Sequence, residues 1–255
     1  MDLENEIKNT QIVVLAGGMA KRMDDSDLPK AMRKVAGKAL IDWCIEFYSK
    51  HGFKDFVLLV GHLHEAIENH VGDGSKYGVD IKYSVDPQLE KIGKGKALKH
   101  AIQTGKIDLG KRAIITYPDD VFLVDDLPLS LLKTHLEMGE KKGIIATAVC
   151  VSGIEYPYGV ALVHDDDIVD EFFEKPTLQV PSTIGLYLIE PEVYKVIDEK
   201  VDMGLEEAIE FEKVVLPEIV RIRKLGRMLI PAGSWIPVNT QKELENADRI
   251  LQGKK

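Results

Sequence analysis

The sequence predicts an α/β fold, a doubly wound and mostly parallel sheet with a smaller β-rich half after it. Three observations predict this. Short apolar runs alternate with segments of helical periodicity through the first half of the chain. The first such run breaks into glycines at its C-terminal end, as strands of open α/β sheets do. After residue 144 the helical pattern gives way to closely spaced strands. With 255 residues, 45% of them hydrophobic, the chain is long enough for a large core.

Residues 11–15 form the first predicted strand. Leu40, Trp43, Cys44, Phe47 and Tyr48 fall at i, i+3, i+4, i+7 and i+8, one face of a helix that Gly52 stops. A buried strand follows over 56–60, then a short helix over 64–71 closed by Gly72-Asp73-Gly74. A strand over 81–85, a helix over 95–103 and a strand over 113–117 continue the alternation, and a helix runs from Pro128 to about Gly139. The second half predicts strands over 144–151, 158–164, 168–173 and 185–189, with Asp165-Asp166-Asp167 as the turn of a hairpin. Pro191 suits the first turn of a helix. Thr240 and Glu243 have capping-box spacing at the start of the last helix. The apolar stripe over 205–220 is expected to pack in the core. Nothing resembles a repeat or a flexible linker, so the expectation is a single domain over 1–255 with two lobes.

Composition excludes several function classes. The net charge of -9 argues against nucleic acid, whose backbone would repel the chain. No apolar run reaches membrane-spanning length and the first ten residues have no signal-peptide character. Cys44 and Cys150 fall in apolar segments and are expected to be small buried hydrophobes in a reducing compartment. A cytoplasmic protein with no membrane partner is expected, with a homo-oligomer left open.

The most informative stretch is residues 15–38, LAGGMAKRMDDSDLPKAMRKVAGK. Glycines directly after a strand leave backbone N–H groups free to face an anion, and Arg22 and Lys30 add two cations. That combination suits a triphosphate. The G-x-x-x-x-G-K-[ST] and G-x-G-x-x-G loops are both absent, and the strand over 56–60 ends in Gly61-His62 with no acidic residue to hold a ribose.

The stretch resembles the signature of the sugar-phosphate nucleotidyltransferases, L-x-G-G-x-G-x-R followed by P-K. Its S-D-L-P-K and A-G-K spacing is most similar to the uridylyltransferase domain of the N-acetylglucosamine-1-phosphate enzymes. Ala20 and Lys21 depart from it where the family has glycine and often threonine. The resemblance implies a Rossmann-like fold with a nucleotide-binding half over about 10–140 and a sugar-binding half over about 141–255. It implies that Leu15, Ala16, Gly17 and Gly18 cradle the nucleotide, that Arg22 clamps the β- and γ-phosphates, and that Lys30 reaches the α-phosphate.

Further motifs support it. QLEKIGKGKA over 88–97 resembles Q-x-x-x-x-G-T-G-H-A, which implies that Gln88 and Gly93 contact a pyrimidine; a glutamine amide matches the edge shared by uracil and thymine. Lys94 and Lys96 replace threonine and histidine there and add positive charge. In YPDD, Asp119 matches the family's magnesium ligand, just past a strand, where α/β sheets bind ligands. Glu174-Lys175-Pro176 resembles E-K-P, which implies that Lys175 faces the sugar phosphate, with Glu174 beside it. Tyr158-Gly159-Val160 resembles Y-G-V, whose glycine lets the sugar approach the backbone. Thr183 stands where the family has asparagine in N-[AT]-G, which hints at an unusual acceptor. Pro237 replaces the aspartate of W-x-D-x-G-T, and V-N-T makes Asn239 the substitute metal ligand, or else a cap of its own turn.

The resemblance implies a magnesium-dependent nucleotidyltransferase that joins UTP or dTTP to a sugar 1-phosphate and releases pyrophosphate, with one activity. A cytidylyltransferase with another phosphorylated acceptor is the alternative that Thr183 motivates. A non-enzymatic nucleotide or sugar-phosphate sensor is the alternative that Pro237 motivates. A substrate screen separates the first from the main reading, and binding without turnover would identify the second.

Overall fold

The computed structural model describes residues 2–18, 28–87, 92–164 and 166–253. Seven strands form the central sheet. In chain order they are β1 (Thr10–Leu15), β2 (Asp55–Val60), β3 (Asp80–Val85), β4 (Arg112–Thr116), β5 (Ala146–Val151), β6 (Ser182–Ile189) and β7 (Leu225–Ile230). Across the sheet they run β7-β5-β6-β4-β1-β2-β3. β1 pairs in parallel with β4 and β2, β2 with β3, and β7 with β5, while β6 runs antiparallel to β4 and β5. The doubly wound, mostly parallel sheet is as expected.

Helices α1 (Leu3–Lys8), α2 (Leu40–Ser49), α3 (His64–Val71), α4 (Gly93–Gln103), α5 (Leu127–Lys142), α6 (Glu192–Lys200), α7 (Phe211–Arg221) and α8 (Gln241–Leu251) complete the order. Side chains alternate between the two sheet faces along each strand. Ile12 and Val14 of β1 pack with Ile41 and Ile45 of α2, Ile67 of α3 and Leu131 of α5. Val13 and Leu15 pack with Leu98 of α4, Ile197 of α6 and Val215 of α7. β1 is buried at every residue because both faces are covered, and each apolar side chain fully buried there contributes about 1.5–3 kcal/mol.

The β-rich half is smaller than its sequence pattern. Two of its four expected strands, β5 and β6, belong to the central sheet. β5 reads ATAVCV and is buried throughout, which suits a strand covered on both faces. What remains outside is a ribbon of Val160–Val163 with Val169–Phe173 and a short pair of Ile154–Glu155 with Thr177–Leu178. Asp167 turns the hairpin at φ 57. β6 carries a register shift between Thr183 and Tyr187, where Gly185 adopts φ 83 and a Cβ would stand 2.7 Å from the Tyr117 ring.

The stripe over 205–220 is only partly core. Phe211, Val215 and Ile219 are buried, whereas Leu205, which precedes the helix, and Val220, which is off its buried i, i+4, i+8 face, are more than half exposed. β7 gave no strand signal in the sequence, since its LGRMLI run interrupts the apolar pattern with Gly226 and Arg227. A Cβ on Gly226 would stand 2.6 Å from Met138, so the glycine lets α5 close over this edge strand.

A second small ribbon positions the site. Asp120–Phe122 pairs antiparallel with Trp235–Pro237, and the Val238 N–H donates to the Asp119 carbonyl at 2.9 Å. The chain then enters α8 through the expected capping box. The Glu243 N–H donates to Thr240 Oγ1 at 3.3 Å, and the Thr240 N–H donates to the Glu243 carboxylate at 2.9 Å. Replacing Thr240 by alanine is expected to cost about 1 kcal/mol of unfolding free energy. Thr240→Ser should recover most of it, and urea unfolding of the three proteins checks both.

Candidate active site

The site is built at the C-terminal edge of the sheet. β1 ends against β2, with the Ala16 N–H donating to the Leu59 carbonyl at 2.8 Å, and the chain leaves through Gly17 and Gly18. Among the described residues nothing lies within 4 Å of a Cβ added at Gly18. Beside it lies a cleft of ≈ 430 Å³. Leu15, Ala16, Gly17, Gly18, Lys30, Gly93 and Asp119, all expected in a site, line it. Arg22 and Gln88, also expected there, lie outside the described residues.

Three of the expected groups converge at one end. Lys30 opens a single 3₁₀ turn, Lys30–Met32, after Pro29. Its ammonium forms an ion pair with Asp119 and donates to Asn239 Oδ1 at 2.8 Å. Asn239 does not cap α8; Thr240 does, which leaves the Asn239 amide to face Lys30. The small ribbon makes the meeting possible, because it ties the loop after β4 to the segment before α8. The two aspartates of YPDD separate here. Asp119 faces the cleft, and Asp120 turns away to accept from Trp235 Nε1 at 2.7 Å. Burial and the Asp119 charge push Asp120 well above the carboxylate range, against the pull of the Trp235 hydrogen bond and the Lys30 charge.

The donor set suits a hard cation. Among the described residues no three His, Cys, Asp or Glu side chains come together as an ion site. A cation here would be held by the Asp119 carboxylate and the Asn239 amide oxygen. Magnesium fits such a pair, since it takes one or two protein oxygens and completes its shell with phosphate and water.

The cleft also holds a group that the sequence reading missed. Asp86 follows β3 and lines the cleft. Its Oδ2 would lie 2.8 Å from a Cβ at Gly17 and 3.0 Å from one at Gly61, so these glycines make room for it. Burial raises its carboxyl to about 6. The only sequence signal was an acidic residue ending a strand next to the QLEKIGKGKA motif.

The lysines of that motif do not add free positive charge. Lys94 pairs with Glu212 at 2.8 Å and Glu210 at 3.3 Å, and Tyr117 donates to the same Glu212 at 3.1 Å. Burial works against the Lys94 ammonium, but the two glutamates outweigh it and hold it above its ordinary value. Lys96 is fully buried and donates to the Leu205 carbonyl. Gly93 and Gly95 have a packing reason as well, because a Cβ on either would stand within 2.8 Å of the Ile209 carbonyl oxygen.

The expected sugar-side residues are not among those lining the cleft. Lys175, at φ 47, and Glu174 are exposed at the end of the outer ribbon. A Cβ on Gly159 would meet the Phe172 ring at 2.4 Å, so the space over that glycine is taken by the hairpin's own side chain. Thr183 donates to the Tyr187 hydroxyl at 3.2 Å and sits at the β6 register shift.

A family described as nucleotidyl transferase matches residues 11–252. Over 207 residues the chain is 30% identical to a UTP–glucose-1-phosphate uridylyltransferase of Synechocystis sp., covering 75% of this chain and 52% of that protein. It is 28% identical over 207 residues to a D-glycero-alpha-D-manno-heptose 1-phosphate guanylyltransferase of Campylobacter jejuni, covering 80% of this chain and 83% of that one. The chain spans about half the length of several other curated relatives it matches. In structure it is similar to a Bacillus anthracis protein assigned as a glucose-1-phosphate thymidylyltransferase and solved in complex with sucrose. That likeness has a TM-score of 0.73 over 96% of both chains at 20% identity, and it bears on the fold.

Asp86 gives the site a pH signature. Its folded pKa of about 6 lies above the ordinary carboxylate value, so its contribution to stability is present in acid and lost as pH rises through about 6. Asp86→Asn removes that loss. The melting temperature of the variant relative to the native protein is therefore expected to rise between pH 4 and pH 7.5. A difference that stays flat over this range would contradict the burial of an ionising carboxyl.

Proposed function

The chain belongs to the nucleotidyl transferase family, and we propose that it transfers a nucleotidyl group from a nucleoside triphosphate to a sugar 1-phosphate. The observation that carries this reading is the convergence of Lys30, Asp119 and Asn239 at a cleft that Gly17 and Gly18 also line. A cation and two cation-binding oxygens beside a glycine turn match the charge of a triphosphate at its α-phosphorus. The relatives named as uridylyl- and guanylyltransferases of sugar phosphates support the same acceptor class.

In this reading an oxygen of the sugar phosphate attacks the α-phosphorus in line. The new P–O bond forms as the bond to the β-phosphate oxygen breaks, and pyrophosphate leaves. No protein nucleophile is needed, so the chain's work is orientation and neutralisation of charge. Arg22 takes the β- and γ-phosphates and Lys30 the α-phosphate. Lys175 meets the acceptor's phosphate, with Glu174, Gly159 and Thr183 on the sugar side. That requires the outer ribbon to approach the cleft when substrate is bound.

Asp119 and Asn239 would hold magnesium, which would supply charge to offset that on the α-phosphate oxygens. Lys30 shares those two oxygens in the free protein. Released from those two oxygens, the Lys30 ammonium would be free to meet the phosphate. Gln88 favours UTP or dTTP as the donor.

Pyrophosphate release should appear with magnesium, one nucleoside triphosphate and one sugar 1-phosphate, from a panel of UTP, dTTP, CTP, GTP and ATP against several sugars. Silence across the panel in folded protein would sink the reading, and binding without turnover would turn it into a sensor. Asp119→Ala and Lys30→Ala should each lower release by at least about 100-fold, the scale of losing one charge-stabilising group. Full activity of Asp119→Ala would remove the metal assignment.

A further inference from the structure

The cleft has a polarity set by strand order. Asp119 follows β4, Gly17 follows β1, Gly61 follows β2 and Asp86 follows β3, and these four strands are successive neighbours in the sheet. The Asp86 side chain turns back along the edge, with its Oδ2 2.8 Å from a Cβ at Gly17 and 3.0 Å from one at Gly61, so it lies against the ends of β1 and β2 while Asp119 lies beyond β4. The edge suits a nucleotide with its phosphates on the Asp119 side and its base on the Asp86 side.

Charge decides which end is which. Lys30 stands at the Asp119 end. At the other end the Asp86 carboxylate lines the cleft and has no hydrogen-bond or ion-pair partner among the described residues. A phosphate would be repelled there, so the uncharged base belongs beside it. The carboxylate is also held in place. Its own backbone N–H donates to the Val60 carbonyl at 2.8 Å, and the two glycines at positions 17 and 61 leave it a fitted slot.

Resting on the reading of this cleft as a nucleoside triphosphate site, we propose that Asp86 reads the nucleobase and that the base is guanine. An ionised carboxylate only accepts hydrogen bonds. Guanine presents two adjacent donors, N1–H and the N2 amine, which pair with both oxygens at once. Uracil and thymine present one N–H between two carbonyl oxygens, which the carboxylate repels. Adenine and cytosine offer an amine beside a ring acceptor, so one oxygen is left facing a lone pair. The burial that raises Asp86 keeps competing water away, so the pairing counts for more than it would in solvent. This choice opposes the uracil or thymine expected from Gln88, and one experiment decides between them.

Binding of GTP, ITP, XTP, UTP and dTTP to the full chain with magnesium would be measured by calorimetry, for the native protein and for Asp86→Asn. GTP is expected to bind tightest. ITP lacks the N2 amine and should bind on the order of 10-fold more weakly, with a 10- to 100-fold loss of GTP affinity in Asp86→Asn, the range of a bidentate base contact. The variant should bind XTP better than the native protein does, because the substituted amide can donate to the 2-oxo group.

Tighter binding of UTP or dTTP than GTP, with pyrophosphate release, would overturn the guanine assignment and leave nucleotidyl transfer standing. ITP binding equal to GTP, or GTP binding unchanged in Asp86→Asn, would likewise remove Asp86 from base recognition. Absence of any nucleotide binding or turnover in folded protein would overturn this inference together with the function it rests on.

Discussion

A sheet buried on both faces has nowhere to show a polar group except at its strand ends. β1, β2, β4 and β5 put almost every side chain into one of two apolar cores, which helices cover on both faces. Gly17, Asp86 and Asp119 are all placed by that constraint, because each is among the first residues beyond a strand's C-terminal end. The site is therefore a line across the sheet edge. Side chains then reach along that edge, as Asp86 does toward Gly17 and Gly61.

Within that line the ion pair of Lys30 with Asp119, shared with Asn239, is the local organiser. The three residues come from segments far apart in sequence. The ribbon of Asp120–Phe122 with Trp235–Pro237 carries two of them, and the Trp235–Asp120 hydrogen bond pins it. Pro237 illustrates the economy of this arrangement. It cannot bind metal through a side chain, yet it sits opposite Asp120 at the ribbon's end, where losing an N–H does no harm. Two residues later Asn239 turns its amide oxygen toward Lys30.

Charge at the nucleotide end differs from what residue types suggest. Lys94 and Lys96 look like a basic addition to the cleft, but one is spent on two glutamates and the other on a buried carbonyl. Asp86, ordinary in the sequence, is the half-buried group left facing the space. A charge matters at a site only after its partners are counted, and those partners, Glu210, Glu212 and Leu205, lie more than a hundred residues away from the lysines.

The alternation of apolar runs with helical periodicity was enough to determine the doubly wound sheet, its first five helices after α1, and the glycine loop at its edge. Local spacing and local chemistry encode those features, and the capping box of Thr240 and Glu243 belongs with them. The motif residues Lys30, Asp119 and Asn239 were legible one by one. Three matters belonged to tertiary structure alone. The sheet took in β5 and β6, because burial on both faces is a property of the neighbours a strand finds. β7 joined the edge through a glycine that only the approach of α5 explains. Asp86 entered the cleft because β3 lies beside β2 and β1, whose Gly61 and Gly17 make room for its side chain, and strand order across a sheet is written in no local pattern.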